Sequence, residues 1–487
     1  MSEKSIKVNA ILNVIKTISS IIFPLITFPY ISRVLQPENI GKVNFGSSFV
    51  SYFSLIASLG ITTYAIRECS AVRGDKRKLG EKASQIFSIN VCTTIIAYVL
   101  LGLSLIFFRK LDSYRTLIII QSTVILFTTW GADWLNSAME DFKFITIRSI
   151  GFQFISLILM FILVHQPDDY YKYAAITVLS SCGANITNIL YRRKYCTVCF
   201  TKDMNWKEHF KPILLLFVMI LAQTVFSNAD VTMIGLIKGD TEVGLYTTAH
   251  KIENIIAQIV SSLAWVVMPR MSKYFAEEDY EKINKMLKNV FSVIVFFGFP
   301  CVVGTISISK EIVLIVGGEE YLGSAIPLTI LMFSFAFSLL GGSFLGNMVL
   351  LPSKKEKMYM LICCAATIVN VVLNTFLIPV LGAIGAAGTT AICSFLMMAI
   401  MVFTRDRRVK LDYIWKTMLS PAIGSVFIFL YCRLIRSSVE SLSLRTIICI
   451  LGSLVLYLLV SILMKNEILY EFIEKMNAKL RGVKSDR

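Results

Sequence analysis

Charge is what this sequence has least of. Asp, Glu, Lys and Arg make up 16% of its 487 residues, against about 25% in soluble domains, and this shortage excludes a water-soluble globular protein. Carboxylates are the scarcer sign, 32 against 48 Lys and Arg. No two aspartates lie two positions apart, so the Asp-x-Asp pair that metal-dependent sugar transfer commonly uses is missing. Every loop expected outside the membrane is short, which leaves no room for the active-site domain of a membrane glycosyltransferase or polymerase. Histidine is scarcer still, at three residues. One Cys-x-x-Cys, Cys196 and Cys199 in YCTVCF with His209 as the nearby histidine, falls short of a zinc site. Most of the eleven cysteines fall in apolar runs, where free Cys behaves as a small hydrophobe.

What the chain has instead is apolar length. It is 55% hydrophobic with a mean hydropathy of +0.69. Runs of the membrane-spanning length, about 20 residues, occur at 8–32, 41–65, 83–108, 114–136, 145–165, 171–191, 212–236, 243–268, 286–309, 325–350, 359–380, 383–404, 418–435 and 445–464. They predict an all-α integral membrane protein of fourteen transmembrane helices. The first run is too long for a cleavable leader and no small-residue cleavage site follows it, so it reads as the first span. Most Lys and Arg cluster at 67–82, 192–211, 270–288, 354–357, 405–416 and in the tail from 465. These stretches share one side of the membrane, and the positive-inside rule places them, with both termini, in the cytoplasm. The net charge of +16 is then an orientation signal, helped by attraction to anionic lipid, and not the mark of a nucleic-acid partner.

The chain also repeats itself. QPENIGKVNFGSS, from Gln36, written over GDTEVGLYTTAHK, from Gly239, superposes Gly41 on Gly244 at an offset of 203 residues, and the same offset carries Arg67 onto Arg270. Six spans repeated by six keep one membrane orientation, which predicts two pseudo-symmetric lobes related as parallel repeats, an arrangement found in transporters. The expected organisation is an N-lobe at 1–207, a C-lobe at 208–406, and an appendage at 407–487 holding the last two helices and a basic tail.

Polar residues inside the spans follow the same register. The first span carries Asn9, Asn13, Lys16, Ser20, Pro24 and Thr27 on one helical face, and the seventh carries Gln223, Ser227 and Asp230 at positions that the offset maps onto Ser20, Pro24 and Thr27. The eighth presents Thr247, Lys251, Asn254, Gln258, Ser262 and Trp265, and the second presents Asn44, Ser47, Ser51, Ser58 and Thr62. Lipid cannot satisfy such groups, so they line a helix interface or a water-filled cavity. The hydroxyls alone read as interface hydrogen bonding; Lys16, Asp230 and Lys251 read as cavity residues. Asp230 and Lys251 are expected about 10 Å below the outer surface, within reach of one another across the turn. A lysine in such a cavity can hold a phosphate as a point charge, Asn and Gln can exchange hydrogen bonds with sugar hydroxyls, and Trp265 can stack on a sugar face.

Three stretches carry a family resemblance: FPYISRVLQPENIGKVNFGSS at the first hairpin, WLNSAMEDFKFITIRSI with Trp134, Glu140, Phe142 and Arg148, and NVVLNTFLIPVLGAIGAAGTTA from Asn370. With them the chain resembles, over essentially its whole length, the polysaccharide flippases of the multidrug/oligosaccharidyl-lipid/polysaccharide exporter superfamily. The resemblance implies a multi-pass transporter of the bacterial inner membrane that moves an undecaprenyl-diphosphate-linked oligosaccharide from the inner to the outer leaflet by alternating access, in O-antigen or capsule synthesis. Its substrate cavity would draw on Asn13, Lys16, Gln223, Asp230, Lys251, Asn254, Gln258 and Trp265, and its cytoplasmic gate on Arg67, Glu140, Arg148 and Arg270. The last two helices would serve the lipid tail. The implied partners are the lipid-linked oligosaccharide, membrane lipids and other polysaccharide-assembly proteins. No cofactor is expected, and coupling to H⁺ or Na⁺ is left open. The chain departs from the peptidoglycan-precursor branch in lacking a set of intramembrane arginines, which leaves Lys16 and Lys251 as the anion-binding inventory. The competing reading is a cation-coupled multidrug exporter of the same superfamily, which needs deep carboxylates; the candidates are Asp230 and Asp133.

Overall fold

The computed structural model describes residues 3–265 and 267–480. Among them all regular structure is helical and no strand occurs. Ten helices are long and apolar enough to cross a membrane, and the protein is a multi-pass membrane protein. A helix lies over each expected apolar run, with differences that have physical reasons. The first two runs fall in one helical stretch, Glu3–Ser58, broken where Gln36 takes φ 62 and ψ 168 just before Pro37; a residue preceding proline is held out of the α region. Arg115–Gly131 is short for a span, at 17 residues. Asp240–Trp265 is too polar to stand out, because it carries Asp240, Glu242, Lys251 and Glu253. The run at 325–350 begins as the α-helix Ala325–Ser338 and widens into a π-helix over Leu339–Leu350.

Helix starts follow a repeated local device. Asp75 accepts the backbone N–H groups of Arg77 and Lys78 at 3.0 and 3.2 Å ahead of Lys76–Phe107. Asp141 accepts from Phe144 at 3.2 Å ahead of Phe142–Leu163, and Asp279 from Lys282 at 3.1 Å ahead of Tyr280–Ser307. Each aspartate ends a polar connector and satisfies donors that the first helical turn leaves orphaned, worth about 1 kcal/mol apiece.

The chain divides into two compact units, Met1–Gly244 and Leu245–Arg487. In the first, the Glu3–Ser58 stretch packs against Lys76–Phe107, Arg115–Gly131, Phe142–Leu163 and Trp206–Ile237. A buried cluster including Tyr64, Leu79, Ile86, Trp134, Leu135 and Ile213 fastens its polar connectors. The two glycines that the 203-residue offset superposes meet each other here. A Cβ at Gly41 would run into the Asp240 carbonyl and lie 3.0 Å from the Gly244 nitrogen, and a Cβ at Gly244 would run into the Pro37 carbonyl. Close backbone approach, not a positive φ, is why both are glycine.

In the second unit, Ala383–Thr404 packs between Ala325–Ser338 and Glu356–Leu381, and Tyr280–Ser307 packs on Ile414–Ser438, which pairs with Leu442–Leu463. Phe296, Ile308, Ile428, Cys432, Cys449 and Tyr457 form the core that docks these last two spans, and the Tyr457 hydroxyl donates to the Phe296 carbonyl at 2.7 Å.

Candidate functional site

The first unit encloses a polar cavity of about 420 Å³. The helix ending at Ser58 contributes Ser54 and Ser58, Lys76–Phe107 contributes Asn90, and Arg115–Gly131 contributes Thr128 and Thr129. Phe142–Leu163 adds Arg148, Ser149 and Gln153, and Tyr170–Tyr191 adds Ser180, Ser181 and Asn185. Asp133, Trp134 and Ser137 close it from the turn that joins the fourth and fifth runs. Some polar groups are satisfied within the wall: Asn90 donates to the Ala57 carbonyl at 2.8 Å, and Thr94 and Thr129 share a hydrogen bond of 2.7 Å.

Arg148 is the charged centre of this cavity. Its side chain is 5% exposed, paired through Nη2 with Asp133, and its guanidinium lies 5.1 Å from the Phe144 ring centroid. Its Nε and Nη1 have no hydrogen-bond partner among the described residues, nor does Nε1 of Trp134. A buried guanidinium with two vacant donors demands water or an acceptor ligand, and its fork suits a phosphate oxygen or a sugar hydroxyl.

The four residues grouped as a gate are placed as follows. Arg67 is exposed and pairs with its neighbour Glu68 at 3.3 Å; Glu140, at φ 58, pairs with Arg73 at 2.8 Å; Arg270 is exposed. Arg148 lines the polar cavity. It adds a cation inside a membrane-length helix, where two lysines alone were expected. The sequence reading placed it with the cytoplasmic gate, although it falls inside the expected run at 145–165. The signal that points to it is Asp133, an opposite charge across the same hairpin.

The stripe residues are placed as follows. On Trp206–Ile237, Gln223 is exposed and Asp230 is buried, 4% exposed. Beside Asp230, Ser48 bonds the Asn228 carbonyl at 3.1 Å and Thr232 at 2.8 Å. On Asp240–Trp265, Lys251 and Asn254 are half-buried and Gln258 is exposed, with Asn254 bonded to the His250 ring at 3.0 Å. The side chains of Asn13, Lys16 and Trp265 lie outside the described residues.

The second unit holds an apolar groove of about 380 Å³, lined by Phe296, Phe297, Pro300, Ile450, Leu454 and Tyr457 among others. Beyond it, Glu311 is buried, 3% exposed, and clamps the last two spans. It accepts two bonds from Arg436, at 2.8 and 2.5 Å, and pairs with Arg445 at 3.4 Å. Burial alone would push its carboxyl up; the Arg436 fork, with Arg445, outweighs that and holds it below the ordinary glutamate range. Sequence reasoning missed this clamp, since Glu311 lies 125 residues or more from either arginine.

A family model described as "Polysaccharide biosynthesis protein" matches residues 6–275. The chain belongs to that family. This bears out the resemblance read from the three sequence stretches, and a second model, MatE, matches residues 216–376. Among relatives, the chain is 24% identical over 392 residues to "Putative O-antigen transporter" of Shigella dysenteriae, covering 78% of this chain and 94% of that one. It is 24% identical over 387 residues to "Capsular polysaccharide biosynthesis protein CapF" of Staphylococcus aureus, covering 76% and 91%. The fold is that of the solved structure "Lipid II flippase MurJ, inward closed conformation", at TM-score 0.74 and 16% identity over 94% of this chain and all of that one.

Proposed function

We propose that this chain flips an undecaprenyl-diphosphate-linked oligosaccharide from the inner to the outer leaflet of the bacterial cytoplasmic membrane, in the assembly of a surface polysaccharide. Both termini would be cytoplasmic. Alternating access would involve lobes at 1–207 and 208–406, with 407–487 appended, and could draw on H⁺, Na⁺ or the substrate gradient alone. The observation that carries this reading is the pair of unlike cavities within one family member. One is polar, with vacant donors on a buried Arg148. The other is an apolar groove on the last two spans. The substrate has the same division: a diphosphate and sugar head that hydrocarbon rejects, and a polyprenyl tail that hydrocarbon accepts. Lys16, Lys251, Asp230 and the Asn, Gln and Trp residues of the stripes are assigned to head-group contact as part of the same proposal.

The MatE match over 216–376 favours cation export as the second reading. A cation exporter needs vacant acceptors, whereas the charged group with unmet hydrogen bonds in the polar cavity is a donor. Purified protein in proteoliposomes separates the two. A polyprenyl-diphosphate oligosaccharide with a fluorescent sugar should move to the leaflet reached by an impermeant quencher, while fluorescent-cation efflux stays at the protein-free level. Cation efflux without sugar movement overturns the flippase reading.

A further inference from the structure

The basic end of the second unit carries a separate pocket of about 440 Å³, formed by the starts of Tyr280–Ser307 and Ile414–Ser438, the loop before the latter, and the turn into the last helix, Glu467–Leu480. Its lining includes five lysines, Lys285, Lys288, Lys410, Lys416 and Lys465, against two carboxylates, Asp412 and Glu467. Lys288 pairs with Glu467 at 2.9 Å. That leaves the lining strongly positive. The Tyr413 hydroxyl, also in the lining, is buried without a hydrogen-bond partner among the described residues.

Two observations set the depth of this pocket. Trp415 is 82% exposed, and an exposed indole at the end of a membrane-spanning helix belongs at the headgroup level. The Glu467–Leu480 helix leaves Tyr470 and Phe472 exposed beside Lys465, as a helix lying in the interface does. The apolar groove lies further along the same helices. Along Tyr280–Ser307 the pocket's lining ends at Ser292 and the groove begins at Phe296, about one turn or 6 Å further into the membrane. A basic pocket at headgroup depth suits the phosphate of an anionic lipid.

We propose that Lys285, Lys288, Lys410, Lys416 and Lys465, with the Tyr413 hydroxyl, bind the headgroup phosphate of an anionic glycerophospholipid of the surrounding bilayer. Lysines serve as point charges for phosphate, and basic pockets between spans at this level take phospholipid head groups. The occupant is a resident lipid of the bilayer, and it ties the start of Ile414–Ser438 and the turn into Glu467–Leu480 to Tyr280–Ser307.

The test uses full-length protein in detergent with phosphatidylglycerol as probe, counting lipids retained per protein by native mass spectrometry. Wild type retains phosphatidylglycerol over phosphatidylcholine, and raising the salt weakens retention. Lys285→Gln/Lys288→Gln/Lys416→Gln lowers affinity by at least roughly tenfold. The matching arginine triple restores it, which shows that the glutamine variant failed through charge and not through misfolding. Lys76→Gln/Arg77→Gln/Lys78→Gln, in the basic stretch of the first unit, leaves retention unchanged. Equal loss in this control overturns the site, as does unchanged retention in the pocket variant. If undecaprenyl diphosphate is retained through these lysines and phosphatidylglycerol is not, the proposed occupant is wrong and the pocket serves the transported lipid.

Discussion

Replacing Arg148 tests whether its vacant donors serve the substrate or only the fold. Arg148 is 5% exposed and Asp133 35% exposed, so the pair is buried on one side and wet on the other. Removing one partner of a fully buried pair costs about 3–5 kcal/mol. With Asp133 open to the cavity, Arg148→Gln should cost less, about 1–3 kcal/mol, and lower the melting temperature by several degrees. Asp133→Asn leaves the guanidinium with an amide in place of a carboxylate and should cost a similar amount. The double variant Asp133→Asn/Arg148→Gln leaves no buried charge, so it should recover most of the stability, ending within about 1 kcal/mol of wild type. Transport should not recover with it. Flipping of a lipid-linked oligosaccharide in proteoliposomes, measured beside thermal unfolding of the same preparations, gives both quantities. Arg148→Lys should flip poorly at near-native stability, because an ammonium keeps the charge and loses the fork. If the double variant is stable and transports near the wild-type rate, the guanidinium is a structural counter-ion and its cavity is not a substrate site.

Four further outcomes follow from the same geometry. Gly41→Ala and Gly244→Ala should each destabilise the first unit by about 1–3 kcal/mol through overpacking against a carbonyl, and a melting curve like wild type for either would refute the close approach. Glu311→Gln should loosen the last two spans by about 1–3 kcal/mol, below the fully buried figure because Arg436 is 44% exposed; limited proteolysis of the 441–480 region should accelerate. Since the folded Glu311 carboxyl is held down, its contribution is present well above about pH 4.3, the unfolded range, and is lost as the pH falls toward the lower folded value, so proteolysis in Glu311→Gln should lack the acid-induced rise that wild type shows. Lys251→Ala should abolish flipping with little change in melting, and Asp230→Asn should flatten the response to an imposed proton gradient between about pH 6 and 8; a wild-type rate in the first, or a wild-type gradient response in the second, removes that residue from the mechanism.

The helices were legible because hydrocarbon imposes one length and one composition on them, and every apolar run has a helix over it. What blurred the outline were residues that interrupt those two rules: Pro37, which merges two runs across a break, and the charges of Asp240–Trp265. The repeat offset singled out Gly41 and Gly244 as equivalent positions, but their close approach to one another is visible only in the fold. Charges were harder to read because one physical rule can absorb them all. The positive-inside rule accounts for Lys285, Lys288, Lys410, Lys416 and Lys465 as orientation signals, and it is silent on whether they converge; only folding brings them around a single pocket. Arg148 sits near the boundary of a span too, inside the expected run at 145–165 but shortly after Lys143. The difference between an orienting charge and a working one is its environment: Arg67 and Arg270 are exposed, while Arg148 is enclosed with two donors unmet. An orienting charge stays in water at no electrostatic cost, whereas a buried one must recover its hydration from some partner. For Arg148 the fold supplies only part of that partner, and the remainder has to come from whatever enters the cavity.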